Sequence, residues 1–296
     1  MKKAIPKVYL LLILSAVLWG GQPTVIKGLV KELSPVLITF YRYLVISAVL
    51  LVALFITGKG QLPLPRGRHV LILTAMGLSG ITLNNVFQFS GLQYSTAINC
   101  SLVSSTTPAL TAILAFISLR EKLRRLQWLG IAVSFLGIFF LVTRGSLAVI
   151  TTLSFNYGDI LFFVSQVCWA LYTVLGRKIM YELSPMATTA WAGLAGAVLT
   201  GLYAIWCGID MTPNLTPTGV LSLAYTSLGG GVLAMTWWNS GVKAVGPSKA
   251  AIFFNLVPIA GMLSSVIFLG EHLGWREIMA GLGIISGVYL STRQAR

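Results

Sequence analysis

The sequence predicts an all-α membrane protein with ten transmembrane helices, which form two inverted five-helix repeats and leave both termini in the cytoplasm. Of the 296 residues, 56% are hydrophobic and only 9% are charged, against ~45–50% and ~25% in soluble domains. The apolar residues form repeated runs that match the ~20 residues of a membrane-spanning helix. The chain also matches itself at a fixed spacing, which predicts two related halves.

Ten apolar segments follow one another along the chain when a window of ~19 residues is used. They lie near residues 7–26, 36–57, 69–90, 97–118, 126–143, 158–180, 186–207, 217–239, 249–269 and 275–292. Three lysines before the first segment resemble the start of a secretory signal, but this segment has a counterpart in mid-chain and is expected to be retained. Three of the segments begin with a capping hydroxyl before a proline at the first helical position, at Ser34-Pro35, Ser184-Pro185 and Thr216-Pro217.

A shift of 150 residues aligns the first half of the chain with the second. It places the four residues Glu32 to Pro35 on the identical residues Glu182 to Pro185, together with scattered single matches. This indicates two homologous halves, which we place at residues 1–145 and 151–296. Because each half has five helices, an odd number, the second must enter the bilayer in the opposite orientation.

The loop charges set the orientation. With a cytoplasmic N-terminus, the inside segments hold sixteen lysines and arginines and the outside segments hold four. Cytoplasmic loops of membrane proteins carry such an excess of cations, so both termini are predicted to lie inside. The net charge of +14 is therefore explained by loop clusters rather than by a single basic face, and we expect no nucleic-acid partner.

Polar and aromatic side chains within the predicted spans mark the expected substrate site, because polar groups in hydrocarbon are costly unless they face a cavity or a partner helix. Those of the first half fall in the outer half of the membrane, and several of the second half fall in the inner half, as alternating access around one midplane site requires. An interhelical hydrogen bond or close packing is the alternative role for each. The candidate residues are Trp19, Gln22, Arg42, Asn85, Gln88, Ser105, Gln166, Trp169, Tyr172, Trp238 and Asn255.

Arg42 is the one cation that lies away from the ends of a predicted span. It could capture a substrate carboxylate through a bidentate fork, or it could be a structural group that bonds helix-end carbonyls or extends towards the membrane surface. Its equivalent in the second half is Ala192, which favours the structural account because the fold does not need a charge there. Pro108 and Pro258 lie midway in the predicted fourth helices of the two halves and are candidate hinges, since proline frees a backbone carbonyl and permits a kink.

The sequence offers little to an enzyme. Its two histidines, His69 and His272, fall in predicted loops, and no metal-ligand spacing or nucleophile–base pair can be assembled. We therefore expect no catalysis, no metal and no cofactor. Coupling stays open between facilitated exchange and proton coupling through Asp159 or Glu271.

Two pairs of motifs carry a family resemblance. They are Leu119 to Leu123 and Leu269 to Leu273, which follow the proline-containing fourth helices, and Gly158 to Ile160 and Trp169 to Tyr172 in the sixth helix. With ten helices in two halves, the chain resembles the EamA type of the drug/metabolite transporter superfamily. It departs from the commoner pattern at Arg120, where many members have glycine.

The resemblance implies a multi-pass carrier of the inner membrane with a central cavity between the halves. We expect it to export small amphipathic metabolites such as amino acids by alternating access, with the substrate and the lipid bilayer as its partners. A passive channel-like facilitator and a carrier of amphipathic drugs or cations are the alternatives. A monomer is compatible with this interpretation, and the sequence does not fix the oligomeric state.

Overall fold

The computed structural model describes residues 5–104, 106–119, 125–142, 156–180, 182–245, 253–254 and 256–292, and over these residues the secondary structure is helical. The first half contributes six helices: α1 (Ile5–Leu29), α2 (Pro35–Thr57), α3 (Arg68–Tyr94), α4 (Ala97–Ser104), α5 (Thr107–Leu119) and α6 (Arg125–Val142). The second half contributes α7 (Tyr157–Ile179), α8 (Pro185–Trp206), α9 (from Pro217 to Val245), α10 (Leu256–Leu269) and α11 (Trp275–Thr292).

Seven helices among the described residues are long and apolar enough to cross a membrane. They correspond to the predicted spans near 7–26, 36–57, 69–90, 97–118, 158–180, 186–207 and 217–239. The other three predicted spans correspond to α6, α10 and α11, whose described residues do not reach the same combination of length and hydropathy. The all-helical membrane architecture is thus confirmed, and the count of ten spans stays a prediction.

The capping motifs act as the sequence predicts. Ser34 and Ser184 accept hydrogen bonds from the backbone N–H groups of Leu37 and Ala187, and proline follows each serine at the first helical position. Thr216 caps α9 in the same way. Each hydroxyl satisfies an N–H group that has no partner within its helix, so α2, α8 and α9 begin where these residues stand.

Equivalent features recur at the 150-residue offset. The third long helix of each half contains a π-helical segment, Gly77–Leu83 in α3 and Tyr225–Leu233 in α9. These segments end at equivalent positions, and α6 and α11 span equivalent residues throughout. π-helical turns are rare overall, and many of those known lie at functional sites. Their presence in both halves therefore directs attention to the residues around them.

The two halves pack through equivalent helices. The pairs α2 with α8 and α6 with α11 each join a helix to its counterpart, while α1 packs against α10 and the end of α3 packs against α7. Glycines permit close approach between α6 and α11, where a methyl group at Gly137 would lie 2.7 Å from the backbone nitrogen of Ile284. Small residues are typical of such helix contacts in membranes.

The two candidate hinge prolines lie in the equivalent helices α5 and α10. Pro108 is the second residue of α5, and a turn at Thr106 precedes this helix within the predicted fourth span. Pro258 lies in α10, and Phe253 and Phe254 before it are helical as well. Proline frees a backbone carbonyl and permits a kink, and a hinge role stays a prediction for both residues.

Candidate substrate site

A cavity of about 80 Å³ lies between the two halves. This is well below the ~300–1,000 Å³ of sites that enclose drug-sized ligands, so the conformation described here has room for a small group only. Both polar and aromatic side chains line it. They are Trp19, Gln22, Pro23, Arg42, Tyr43, Asn84, Asn85, Gln88, Ser104, Gln166, Trp169, Met235, Phe254 and Val257.

Arg42 is the charged residue of this cavity lining, and its side chain is buried. Its Nε donates to the carbonyl oxygen of Thr226 at 3.0 Å, one Nη donates to Asn85 Oδ1 at 2.9 Å, and the other donates to Gln22 Oε1 at 2.6 Å. Helix α2 therefore presents the guanidinium to α1, α3 and α9 at once. The carbonyl of Thr226 belongs to the π-helical segment of α9, where the i→i+5 pattern alters the regular helical bonding.

The acceptors of Arg42 are themselves held in place. The amide nitrogen of Asn85 donates to the carbonyl oxygens of Ile81 and Gly80 at 2.9 and 3.3 Å, which directs its Oδ1 towards the guanidinium. The rings of Tyr43 and Phe89 stand 5.4 and 5.8 Å from Arg42 Cζ. These distances permit cation–π attraction. The guanidinium is thus fixed in position by neutral oxygens and aromatic faces.

No carboxylate pairs with Arg42 among the described residues. The two ion pairs found there are Lys27 with Glu271 and His69 with Glu182, and the cavity lining contains no acidic side chain. Burial of a charge is costly unless it is paired or hydrogen-bonded. The three hydrogen bonds of Arg42 offset part of this cost. No acidic side chain among the described residues of the lining neutralises its positive charge.

Aromatic side chains form the other wall of the cavity. Trp19 donates from Nε1 to the carbonyl oxygen of Gly230 at 2.9 Å. Its ring lies 6.0 Å from that of Trp169 in an edge-on arrangement and 5.4 Å from that of Trp238. The ring of Phe254 lies 5.7 Å from Trp19. Tryptophan and phenylalanine offer large apolar contact surfaces with defined ring geometry, so this wall suits the apolar part of a ligand.

Two amides of the lining also join helices. Gln166 accepts a hydrogen bond from Thr107 Oγ1 at 2.7 Å, and Asn84 donates to the carbonyl oxygen of Ser165 at 2.8 Å. Gln88 contacts Ser104 at 3.5 Å, at the limit of a hydrogen bond. The sequence predicts either substrate contact or an interhelical hydrogen bond for Gln166. Gln166 makes the interhelical bond and also lines the cavity.

Seven of the eleven candidate residues line the cavity: Trp19, Gln22, Arg42, Asn85, Gln88, Gln166 and Trp169. Tyr172 stacks on Trp169 with ring centroids 4.9 Å apart, and together with Trp238 it lines a smaller space of about 10 Å³. Ser105 and Asn255 lie outside the described residues. Seven further residues line the cavity without having been candidates: Pro23, Tyr43, Asn84, Ser104, Met235, Phe254 and Val257. The apolar ones give no distinguishing signal within an apolar span, whereas Asn84 and Ser104 carry the same polar signal as the candidates.

Helices α1, α4 and α10 meet in a tight contact beside the cavity, which we term the closed end. A methyl group at Gly20 would lie 2.5 Å from Ala260 Cβ, and one at Gly261 would lie 2.7 Å from Ser101 Cβ. Real Cβ atoms essentially never approach so closely. The three helices therefore meet here only because glycine occupies both positions.

Polar groups extend the closed end towards the loops. The hydroxyls of Thr24 and Ser265 lie 3.2 Å apart, and Lys27 Nζ lies 3.3 Å from Glu271 Oε1. The Glu271 carboxylate also accepts hydrogen bonds of 3.0 Å from the backbone N–H groups of the first two residues of α4. A carboxylate is favourable at a helix N-terminus because the N–H groups there lack helical partners.

Asp159 lies near the same end, in the first turn of α7. Its carboxylate accepts hydrogen bonds from Ser95 Oγ at 2.5 Å and from Asn99 Nδ2 at 3.1 Å, and Lys27 donates to the carbonyl oxygen of Ser95 at 2.5 Å. Asp159 and Glu271 are thus connected to one polar network, and neither lines the central cavity. The choice between proton coupling and facilitated exchange stays open.

Comparison with known proteins assigns this architecture. The model of the EamA-like transporter family matches the chain twice, at residues 6–143 and 156–293. The chain is 33% identical over 285 residues to the uncharacterized transporter YyaM of Bacillus subtilis, covering 95% of this chain and 92% of that protein. It is 27% identical over 271 residues to the uncharacterized inner membrane transporter YedA of Escherichia coli K12, covering 91% and 85%. A solved structure superimposes with a TM-score of 0.68 at 19% identity over 97% of both chains, which supports the fold alone.

Proposed function

Because the chain belongs to the EamA-like transporter family, we propose that it is a secondary carrier that exports a small amphipathic metabolite, such as an amino acid, by alternating access. The chain is a multi-pass protein of the inner membrane, in keeping with its apolar helices and with the membrane assignment of YedA. The central cavity is the proposed substrate site.

The proposed topology has ten spans in two inverted repeats, residues 1–145 and 151–296, with both termini in the cytoplasm. The distribution of loop cations and the odd number of predicted helices per repeat support it. In this orientation Lys27 and Glu271 lie on the outer side. The closed end is therefore the outer end of the cavity.

The observation that carries the proposal is that the cavity has a polar wall and an apolar wall, and that most of the polar wall comes from the first half. Gln22, Arg42, Asn85, Gln88 and Ser104 of the first half line the cavity. Their equivalents at the 150-residue offset are Tyr172, Ala192, Met235, Trp238 and Phe254. Of these, Met235 and Phe254 line the same cavity and join Trp19 and Trp169 on its apolar wall. A site with one polar wall and one apolar wall suits a small amphipathic molecule.

The closed end supports alternating access over a permanent pore. A channel-like facilitator needs a continuous polar path, whereas the glycine contact between α1 and α10 leaves no room for a side chain between these two helices. Inverted repeats permit the equivalent contact to form at the other end while this one opens. Arg42 argues against the second alternative, a carrier of cationic drugs, because like charges repel in a site of low dielectric constant.

Counterflow in proteoliposomes tests the proposal with radiolabelled alanine and phenylalanine as probes. A carrier should show faster uptake of label when the vesicles contain the same unlabelled amino acid, because the loaded site returns faster than the empty one. Uptake without this stimulation would favour the channel-like facilitator. Uptake confined to a lipophilic cation such as tetraphenylphosphonium would favour the drug carrier.

A further inference from the structure

We propose that the cavity selects its substrate by net negative charge, and that the preferred class is a small carboxylate without a compensating ammonium group, bound through its carboxylate to Arg42. This inference rests on the proposed function, because it takes the cavity as the substrate site. It narrows the proposed substrates from small amphipathic metabolites in general to anions. Zwitterionic amino acids are expected to bind more weakly than anions. The argument has three steps, which concern donors, charge and position.

The first step is the number of N–H donors. A guanidinium carries five N–H groups: one on Nε and two on each Nη. The bonds to Thr226, Asn85 and Gln22 use one donor from each of the three nitrogens. One N–H group on each Nη therefore has no hydrogen-bond partner among the described residues. These two donors belong to the pair of nitrogens that binds a carboxylate as a bidentate fork.

The second step is the charge of the lining. Arg42 contributes one positive charge that persists at any physiological pH, and none of the other lining side chains is acidic. An entering anion offsets this charge, whereas an entering cation adds repulsion at short distance in a medium of low dielectric constant. A zwitterion gains at its carboxylate, but its ammonium group meets only amide oxygens and aromatic rings. The expected order of affinity is anion, then zwitterion, then cation.

The third step is the position of the guanidinium before substrate arrives. Asn85 is held by two backbone carbonyls of α3, and the Thr226 carbonyl is part of the α9 backbone. The donors are therefore oriented in advance, which reduces the entropic cost of binding. A purely structural arginine would also be fixed, but its N–H donors would be expected to bond to the protein. Two N–H donors of Arg42 have no partner among the described residues, and Arg42 lines the cavity.

Three ligands that share a branched isopentyl chain test the inference. They are isocaproate, leucine and isoamylamine, which are an anion, a zwitterion and a cation. Thermal shift and titration calorimetry on the full-length protein in detergent avoid the passive leak of weak acids and bases through vesicles. We expect isocaproate to bind at least tenfold more tightly than leucine, and isoamylamine to show no binding. Equal binding of all three, tighter binding of leucine or isoamylamine, or no binding of isocaproate would overturn the inference.

Two variants assign the effect to Arg42. Arg42→Lys keeps the charge without the fork, so isocaproate should bind at least tenfold more weakly while anions still exceed cations. Arg42→Gln removes the charge, so the preference for isocaproate over leucine should disappear. Arg276→Gln is the matched control, because Arg276 lies outside the central cavity beside the Trp275 ring. If Arg42→Gln does not fold, the wild-type ranking and Arg42→Lys still decide.

The outcome separates this inference from the proposed function. Trans-stimulated uptake of amino acids together with a ligand ranking that favours leucine would overturn the selection of anions and leave the carrier intact. Isocaproate binding that depends on Arg42, in a protein without trans-stimulation for alanine, phenylalanine or isocaproate, would overturn the carrier and leave an anion site. A carboxylate preference that Arg42→Lys and Arg42→Gln both leave unchanged would overturn the role of Arg42.

Discussion

Replacement of Gly261 by alanine is expected to weaken the closed end of the cavity. The new methyl group would overlap Ser101 Oγ and would lie 2.7 Å from Ser101 Cβ and 3.1 Å from the carbonyl oxygen of Gly20. The hydroxyl can rotate away, but Ser101 Cβ and the carbonyl are fixed to α4 and α1. The helices must therefore separate, and over-packing of this kind costs ~1–3 kcal/mol.

Only the conformation that is closed at this end carries the cost. If the open conformation lacks the contact, a cost of ~2 kcal/mol shifts the ratio of the two conformations by about 30-fold, because each ~1.4 kcal/mol corresponds to a factor of ten. The shift should favour exposure of the cavity to the side that we assign as external. Transport should change as well, since one step of the cycle becomes less favourable.

Thiol accessibility measures this shift. A cysteine at position 88 lies on the cavity lining, and in a background whose three native cysteines are replaced it reports external access to a membrane-impermeant maleimide. We expect faster labelling in Gly261→Ala than in the parent. Gly28→Ala is the matched control on α1, because a methyl group there would meet no atom within 4 Å.

Equal labelling rates in Gly261→Ala and the parent, with equal yields of folded protein, would refute the argument. The same increase in Gly28→Ala would also refute it, since that position makes no close contact. A lower melting temperature in Gly261→Ala is compatible with the argument only if labelling at position 88 rises in protein that remains folded at the assay temperature.

Three further predictions address topology, the aromatic wall and a surface ion pair. Cysteine at position 31 should react with external reagent and cysteine at position 124 should not, and the reverse result would contradict the orientation. Trp169→Ala should impair transport at unchanged yield of folded protein while Trp169→Phe retains more, and unchanged kinetics in both would remove Trp169 from the site. The pKa of Glu182 is lowered, chiefly by the hydrogen bond from His69, so this contact adds stability above the ordinary carboxyl pKa and loses it as the pH falls through the lowered value. Melting temperature against pH should therefore fall less steeply in this acid range in Glu182→Gln, and identical profiles would show that the exposed contact adds nothing.

The sequence could predict the features that depend on local pattern. Apolar run length predicts membrane helices, and the serine–proline pairs mark the helix starts at Ser34 and Ser184, because both depend on the residues themselves. The cost of polar groups in hydrocarbon identifies Gln22, Arg42 and Asn85 as residues of the cavity or of helix contacts. Structure was needed to show that Arg42 donates hydrogen bonds to both Gln22 and Asn85.

The features that sequence reasoning missed depend on neighbouring helices. The 3.6-residue period identifies a helix face but not the helix that meets it, so Tyr172 and Trp238 could not be separated in advance from the residues that line the main cavity. The π-helical segments have no fixed motif, although the glycine run at residues 229–231 lies in one of them. The Thr226 carbonyl that holds Arg42 carries no side-chain signal at all.

The proposed inverted repeat would give the cavity two equivalent ends, but the residues at those ends differ. At the closed end Gly20 and Gly261 permit α1, α4 and α10 to touch. Their equivalents are Ala170 and Thr111, on helices α7 and α5 that also pack together. These larger side chains do not permit the same close approach, so we expect the contact between α5 and α7 to be looser than that of α1 with α4 and α10. In an empty carrier whose two conformations differ mainly at these contacts, the tighter contact contributes more packing energy. In the proposed orientation this difference favours closure on the outer side at rest, and in the proposed export cycle it leaves the cavity ready to open towards the cytoplasm.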